Sequence, residues 1–70
     1  MLAGDLTAKV WFTRMGDWRV YERLAGKAKE VDGKLSVPVH PLQPHPSFPG
    51  FYIPADEEVI LFKEAFIRLN

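Results

Sequence analysis

Alternation of apolar and polar side chains in the first half of the chain limits the fold more than any other sequence feature. Residues 6–14 alternate in this way, and residues 18–24 do so again. A period of two is that of a β-strand, whereas an amphipathic helix has a period of 3.6. Gly16 lies between the two segments and favours a turn, because glycine adopts positive φ at little cost. We therefore predict a first β-hairpin.

Asp32-Gly33 is the strongest turn signal in the chain. It separates residues 27–31 from residues 34–39, so the two segments are predicted to form a second hairpin. Pro38 has no amide hydrogen to donate to a neighbouring strand, which predicts that its strand lies at a sheet edge. The residues predicted to form the core are Val10, Phe12, Val20, Leu35, Val37, Phe62 and Phe66.

Residues 40–54 contain all the prolines of the chain except Pro38. We predict a loop here, partly extended and polyproline-like. A loop of this length in a small domain often has a function. Its prolines either face an aromatic groove of a partner or stiffen a connection. The large side chains that anchor it, to the core or to a partner, are Phe48, Phe51 and Tyr52.

Residues 56–69 favour a helix, with a final strand as the alternative. A helix would have one broad apolar face, and the acidic residues 56–58 would lie near the positive end of its dipole. A strand would be apolar on both faces, with Ile60, Phe62 and Phe66 pointing outward. In the helix, Ile60 and Ile67 lie outside the apolar face. This surplus predicts a contact with a partner.

The expected fold class is therefore mainly β. It is a small barrel or a curled antiparallel sheet of two successive hairpins, SH3-like or OB-like, followed by the helix or the final strand. Residues 1–70 are expected to form one domain, because a chain of 70 residues has room for a single thin core. The absence of cysteine excludes disulfides and thiolate zinc sites.

The absence of cysteine fits a reducing cytosol, so a cytoplasmic location is expected, and the charge balance and the apolar pattern argue against a membrane partner. Nine basic and nine acidic residues give a net charge of zero, which argues against DNA wrapping and against a polybasic membrane peptide. No apolar run reaches the roughly 18 residues that span a bilayer, and we expect no signal peptide. Gln43 and Asn70 are the only side-chain amides. Low amide content and proline-rich loops are typical of thermophiles.

Basic and aromatic side chains interleave on the outward face predicted for the first hairpin. In single-stranded nucleic-acid binders the cations contact phosphates and the rings stack on bases. Alternatively, Trp11 and Tyr21 pack as a cross-strand pair that the basic side chains cover. The residues of this candidate face are Lys9, Trp11, Arg19, Tyr21 and Arg23.

Residues that carry chemistry are few and scattered. His40 and His45 are candidate metal ligands, but their spacing matches no metal motif, and exposed loop histidines are the simpler interpretation. Ser36 and Ser47 lack the sequence signature of a nucleophile. We therefore predict no catalytic residue, no metal and no cofactor.

A non-catalytic interaction module is the function that the sequence favours, with another protein or a second copy of the chain as the partner. Neutral charge, many aromatic residues and surplus apolar side chains are typical of such modules. The first alternative is single-stranded nucleic-acid binding through the first hairpin. The second is an oligomeric enzyme or metal binder that uses the loop histidines. The predicted protein interface consists of Ile60, Ile67, Phe48, Phe51 and Tyr52.

Overall fold

The computed structural model describes residues 1–17, 19–42 and 50–62, which form a curled six-stranded antiparallel sheet. The mainly β fold class is confirmed. A 3-10 helix (Ala3–Asp5) precedes the first strand. The strands are β1 (Trp11–Arg14), β2 (Val20–Arg23), β3 (Lys29–Val31), β4 (Lys34–Pro41), β5 (Phe51–Pro54) and β6 (Val59–Leu61).

The second predicted hairpin is present as β3 and β4. Val31 pairs with Lys34, so the turn between them has two residues. These residues, Asp32 and Gly33, have φ values of 51° and 82°. A type I′ turn requires positive φ at both positions, which explains why the Asp-Gly pair is found here.

β4 is the central strand of the sheet. Ser36 pairs with Lys29 of β3 and with Pro54 of β5, so these two strands flank β4 on opposite edges. β2 pairs with the last part of β4, beyond the segment that contacts β3. The prediction that Pro38 places this strand at an edge is therefore wrong.

Pro38 is tolerated because it lies where β4 changes its neighbour from β3 to β2. The register of β2 and β4 places Leu24 opposite Pro38, and the Leu24 amide donates to the Pro38 carbonyl at 3.0 Å. The return bond cannot form, since proline has no N–H. Instead the Arg23 guanidinium donates to the Leu24 carbonyl, so this acceptor is not left unsatisfied.

The first hairpin forms as β1 and β2, but β1 begins at Trp11 and not at residue 6, because residues 8–9 form a turn in which Lys9 has a φ of 69°. The side chains of β2 also face the opposite way from the prediction. Phe12 pairs with Tyr21, so the two rings lie on the same face, and both are buried. The prediction that Tyr21 points outward is wrong. A change of register by one residue exchanges the two faces of a strand, and the sequence of the hairpin alone does not fix that register.

Residues 59–61 form β6, which pairs with β1. The helix favoured over residues 56–69 is wrong as far as Leu61, and the alternative of a final strand is confirmed there; residues 63–70 lie outside the described residues. The strand is favoured because the backbone of β6 satisfies the second edge of β1. Val59 also enters the core, where it is 1% exposed.

The N-terminal segment is hydrogen-bonded to the connection between β5 and β6. The amide of Ala3 donates to the carbonyl of Glu57, and the amide of Gly4 donates to the carbonyl of Ala55, both at 2.8 Å. A Cβ atom on Gly4 would lie 3.0 Å from that of Ala55, so a larger residue would push the segments apart. These bonds link the segment to the residues between β5 and β6.

Strands occupy both ends of the segment predicted as a loop over residues 40–54. β4 continues through His40 and Pro41, and β5 spans Phe51–Pro54. Residues 43–49 lie outside the described residues. Pairing with β2 accounts for the extension of β4, because Glu22 and Tyr21 of β2 lie opposite His40 and Pro41. Pairing with residues 36–39 of β4 accounts for β5.

The core combines side chains from the strands with two from the N-terminal segment. Phe12 and Val37 of the predicted core are buried, and Val10 is half-buried and packs against the core. The buried hydrophobic residues are Ala3, Leu6, Phe12, Tyr21, Val37, Val39, Ile53 and Val59.

Three residues predicted for the core lie outside it. Val20 pairs with Thr13 and lies half-buried on the face of the sheet opposite Phe12 and Tyr21. Leu35 is 60% exposed, because the tip of the β3–β4 hairpin extends beyond the packed part of the sheet, where β3 is itself mostly exposed. Phe62 is 36% exposed. It comes directly after β6 and contacts Trp11 on the face of the sheet opposite the core. Phe66 lies outside the described residues.

Candidate functional site

The face of the sheet opposite the core carries aromatic and aliphatic side chains across β6, β1, β2 and β4. Phe12 points into the core, so its neighbours Trp11 and Thr13 point the other way. The strand registers place Glu22 beside Trp11 and Ile60 beside Thr13. We call this surface the outer aromatic face. Its residues are Trp11, Thr13, Val20, Glu22, His40, Ile60 and Phe62.

Two aromatic rings lie in contact on the outer aromatic face. The ring centroids of Trp11 and Phe62 are 6.0 Å apart, and the ring planes meet at 66°. This edge-to-face arrangement is one of the two that aromatic quadrupoles favour. Trp11 is 47% exposed and Phe62 is 36% exposed. The pair therefore holds a large apolar surface in a fixed orientation and leaves much of it open.

An aliphatic row runs beside the aromatic pair. Thr13 pairs with Val20 on one side and with Ile60 on the other, so the three side chains lie in line across β2, β1 and β6. All three are half-buried. This row extends the apolar surface of the two rings toward the turn of the first hairpin.

The Glu22 carboxylate lies beside the indole of Trp11. Its Oε2 accepts a hydrogen bond from Trp11 Nε1 at 3.3 Å, and its Oε1 lies 3.5 Å from His40 Nε2. The side chains of Glu22 and His40 are 27% and 18% exposed. These contacts fix a partly buried negative charge at the rim of the aromatic pair.

A groove lies around Arg14, on the face of β1 that also carries Phe12. Arg14 makes a bidentate pair with Glu57: Nε to Oε2 and Nη2 to Oε1 are each 2.7 Å. The groove has a volume of about 400 Å³, and its walls include Met15, Asp17 and Glu58. The hydrogen bond to Glu57 is the main reason why the pKa of Arg14 is raised. The guanidinium lies 5.9 Å from the ring centroid of Tyr21. These contacts hold Arg14 in place, which indicates a structural role.

Tyr21 and Asp17 form a hydrogen-bonded pair at the edge of this groove. The Tyr21 hydroxyl donates to the Asp17 carboxylate. Burial, and then the hydrogen bond to Asp17, raise the pKa of Tyr21. The bond from Tyr21, and then the bond from the Arg19 amide, lower the pKa of Asp17. The pair therefore favours a protonated phenol and an ionised carboxylate.

The raised pKa of Tyr21 predicts that the folded chain loses stability at alkaline pH. Because its pKa is higher in the folded chain than in the unfolded chain, the stabilisation is complete below the unfolded value, near 10, and is lost as pH rises through the folded value. Urea unfolding of the parent and of Tyr21→Phe at about pH 8 and at about pH 11 measures this. We expect the parent to lose more stability between the two pH values than the variant.

Tyr52→Phe is the matched control, since Tyr52 is 38% exposed. This variant removes an exposed hydroxyl that takes no part in the bond to Asp17, so it controls for the loss of a phenol as such. Equal losses in the parent and in Tyr21→Phe would contradict the assignment to Tyr21.

The candidate nucleic-acid residues do not lie on one face. Lys9, Trp11 and Arg19 are exposed, but Tyr21 is in the core. Arg23 lies on the same side of β2 as Tyr21, and its guanidinium donates to backbone carbonyls. The position next to Trp11 on β2 is taken by Glu22, an anion, where the prediction required a stacking ring.

The predicted protein interface is also divided. Ile60 lies on the outer aromatic face, whereas Phe51 packs edge-to-face on Tyr21 at 6.0 Å. Tyr52 is on β5, with Lys29 Nζ 4.4 Å from its ring centroid. Phe48 and Ile67 lie outside the described residues.

Sequence reasoning missed Phe62 and Glu22 as members of this site. The strand alternative points Ile60 and Phe62 outward together, which is a signal for Phe62. In the structure β6 ends at Leu61, and the ring contact with Trp11 places Phe62 on this face. Glu22 gave no such signal, because its place beside Trp11 depends on the register of β1 and β2.

The structure bears on the metal and membrane predictions only over the residues that it describes. His40 is on β4 beside Glu22, and His45 lies outside the described residues. Residues 1–17, 19–42 and 50–62 contain no group of three side chains placed to ligate a metal. Over the same ranges no helix has the length and apolar character needed to cross a membrane.

Comparisons with known proteins do not assign the chain to a group. No family model, no curated protein and no solved structure matches it significantly. Function is therefore inferred from the described residues.

Proposed function

We propose that this chain is a non-catalytic interaction module that binds another protein, or a second copy of itself, through the outer aromatic face. The observation that carries the proposal is the exposed contact of Trp11 with Phe62, beside Ile60. Aromatic side chains, tryptophan above all, are enriched among residues that dominate binding energy at protein interfaces.

The geometry of the face lowers the cost of binding. Trp11 is already oriented by its ring contact with Phe62 and by its hydrogen bond to Glu22. A partner therefore loses less of its binding energy to the ordering of this side chain. Removal of apolar area from water is favourable, so the two rings and the aliphatic row offer a surface that a partner can cover.

The rival functions have less support in the described residues. A nucleic-acid strand would meet the Glu22 carboxylate beside the exposed ring of Trp11. A reaction centre would need reactive groups free for a substrate, but in the Arg14 groove Arg14 is paired with Glu57, and Asp17 with Tyr21. No observation favours either function over protein binding.

Site-specific photo-crosslinking in the native cells tests the proposal. A benzoylphenylalanine replaces Phe62 in one variant and Tyr52 in a control, because both are aromatic and similarly exposed, at 36% and 38%. We expect defined adducts from position 62 and none of the same mass from position 52. Adding Trp11→Ser to the position-62 variant should remove the adducts.

The mass of the adduct identifies the partner as another protein or a second copy. Circular dichroism establishes that each variant keeps its β structure. If the folded position-62 variant gives no adduct beyond those of the position-52 control, the outer aromatic face is not an interface.

A further inference from the structure

We infer that the outer aromatic face recognises a positively charged side chain, lysine or arginine, on a peptide segment of its partner. The inference rests on the proposed function, because it names the chemistry of the partner at the same surface. It starts from the Glu22 carboxylate, whose Oε2 lies 3.3 Å from Trp11 Nε1.

A carboxylate beside an exposed indole favours a cation over other side chains. The π-face of tryptophan attracts cations more strongly than that of tyrosine or phenylalanine. Glu22 adds a negative charge at the rim of the ring and is itself partly withdrawn from water, so its field is less screened than that of a fully exposed group. An acidic segment would be repelled at the same point, and a purely apolar segment would gain nothing from Glu22.

The chain uses the same contact within its own fold. Arg14 lies over Tyr21 and over Phe51, and Lys29 lies over Tyr52 at 4.4 Å from the ring centroid. Among the cation–ring pairs of the described residues, Trp11 is not included. Its ring contact there is with Phe62, which leaves Trp11 47% exposed.

The aliphatic row determines what accompanies the cation. Ile60 and Val20 lie along the outer aromatic face on either side of Thr13, beyond the two rings. A segment that places its charged group at Trp11 and Glu22 extends apolar side chains over this row. The recognised sequence is thus a basic residue with aliphatic neighbours.

Selection from a library of random dodecapeptides displayed on phage tests the inference. The folded parent chain is the target, and Trp11→Ser, Glu22→Gln and Glu30→Gln are parallel targets. Gln at position 22 keeps an oxygen that accepts from the indole, so the fold is retained while the charge is removed. Glu30 is an exposed glutamate on β3 and serves as the charge-matched control.

We expect the parent to select peptides with a basic residue at a fixed distance from an aliphatic one. In fluorescence polarisation, replacing that basic residue by the neutral norleucine should weaken binding by about 5- to 20-fold. Glu22→Gln should weaken it to a similar extent, and Glu30→Gln should change it by less than about twofold. On the Glu22→Gln chain the norleucine replacement should weaken binding by a smaller factor, because the basic residue of the peptide interacts with the Glu22 carboxylate.

Two failures are distinguishable. Peptides whose binding requires Trp11 but that lack a basic residue, or that bind Glu22→Gln as well as the parent, would overturn the cation inference and leave the proposed function standing. If no selected peptide depends on Trp11, the proposed function fails and the inference fails with it. The norleucine replacement alters only the peptide, so its result does not depend on the folding of any variant.

Discussion

Replacing Phe12 by alanine is expected to leave most of the molecules unfolded at room temperature. Phe12 is fully buried, and its ring stacks on Tyr21 with centroids 5.7 Å apart. It lies on β1, between β2 and β6, so the cavity would open in the middle of the sheet. Phe-to-Ala substitutions in cores cost about 3–5 kcal/mol. At about 0.05–0.15 kcal/mol per residue, a domain of this size has a total stability of similar magnitude.

Urea unfolding followed by circular dichroism measures the effect. Phe12→Leu is the graded variant, and it should retain the fold with a smaller loss, since leucine fills much of the space. Met15→Ala is the exposed control, because Met15 is 60% exposed, and its effect should stay within about 0.5 kcal/mol. A Phe12→Ala chain that unfolds at nearly the parent urea concentration would show that the core is not organised around this ring.

The second large effect is expected at the pair of Arg14 and Glu57. Their side chains are 31% and 24% exposed, so each charge is partly withdrawn from water. Glu57→Leu leaves the Arg14 guanidinium without its bidentate partner, and Arg14→Met leaves the carboxylate. Full burial would make such a loss cost about 3–5 kcal/mol, and partial exposure reduces the expected cost to about 1–3 kcal/mol.

A double-mutant cycle separates the interaction energy between Arg14 and Glu57 from the contacts that each makes with other residues. The Arg14→Met, Glu57→Leu chain should be more stable than the sum of the single losses predicts, because no unpaired charge remains. Glu58→Gln is the control. Its carboxylate contacts the Met1 ammonium at an exposed site, and its loss should be within about 0.5 kcal/mol. Additive single losses would show that Arg14 and Glu57 act independently.

The acidic residues 56–58 have a different role in the fold from the one that the sequence predicts. Residues 56–58 were expected at the start of a helix. In the fold they lie immediately before and beside β6, where Glu57 binds Arg14 and Glu58 binds the Met1 ammonium. Their partners are separated from them by 43 and 57 residues. A local rule about helix ends had no access to contacts over that distance.

The candidate site was partly within reach of the sequence. Trp11 and Ile60 were each singled out, but in two different hypotheses. The register of β1 with β6 pairs Thr13 with Ile60 and so brings Ile60 and Trp11 to one face. Glu22 completes the site through the β1–β2 register alone.

The sequence by itself determined the class of the fold and the features that depend on near neighbours. Alternation indicated strands in β1 and β2, and Asp32-Gly33 determined a two-residue turn between β3 and β4 whose φ values are both positive. These features follow from local sterics and from the period of the apolar residues.

The tertiary structure alone decided which strands pair and which faces they expose. It made β4 central despite Pro38, because the Arg23 guanidinium supplies the hydrogen bond that proline cannot donate. It made residues 59–61 a strand, because the open edge of β1 satisfies their backbone. It placed Tyr21 in the core, since a register shift by one residue inverts a strand, and only packing against the rest of the sheet selects one register over the other.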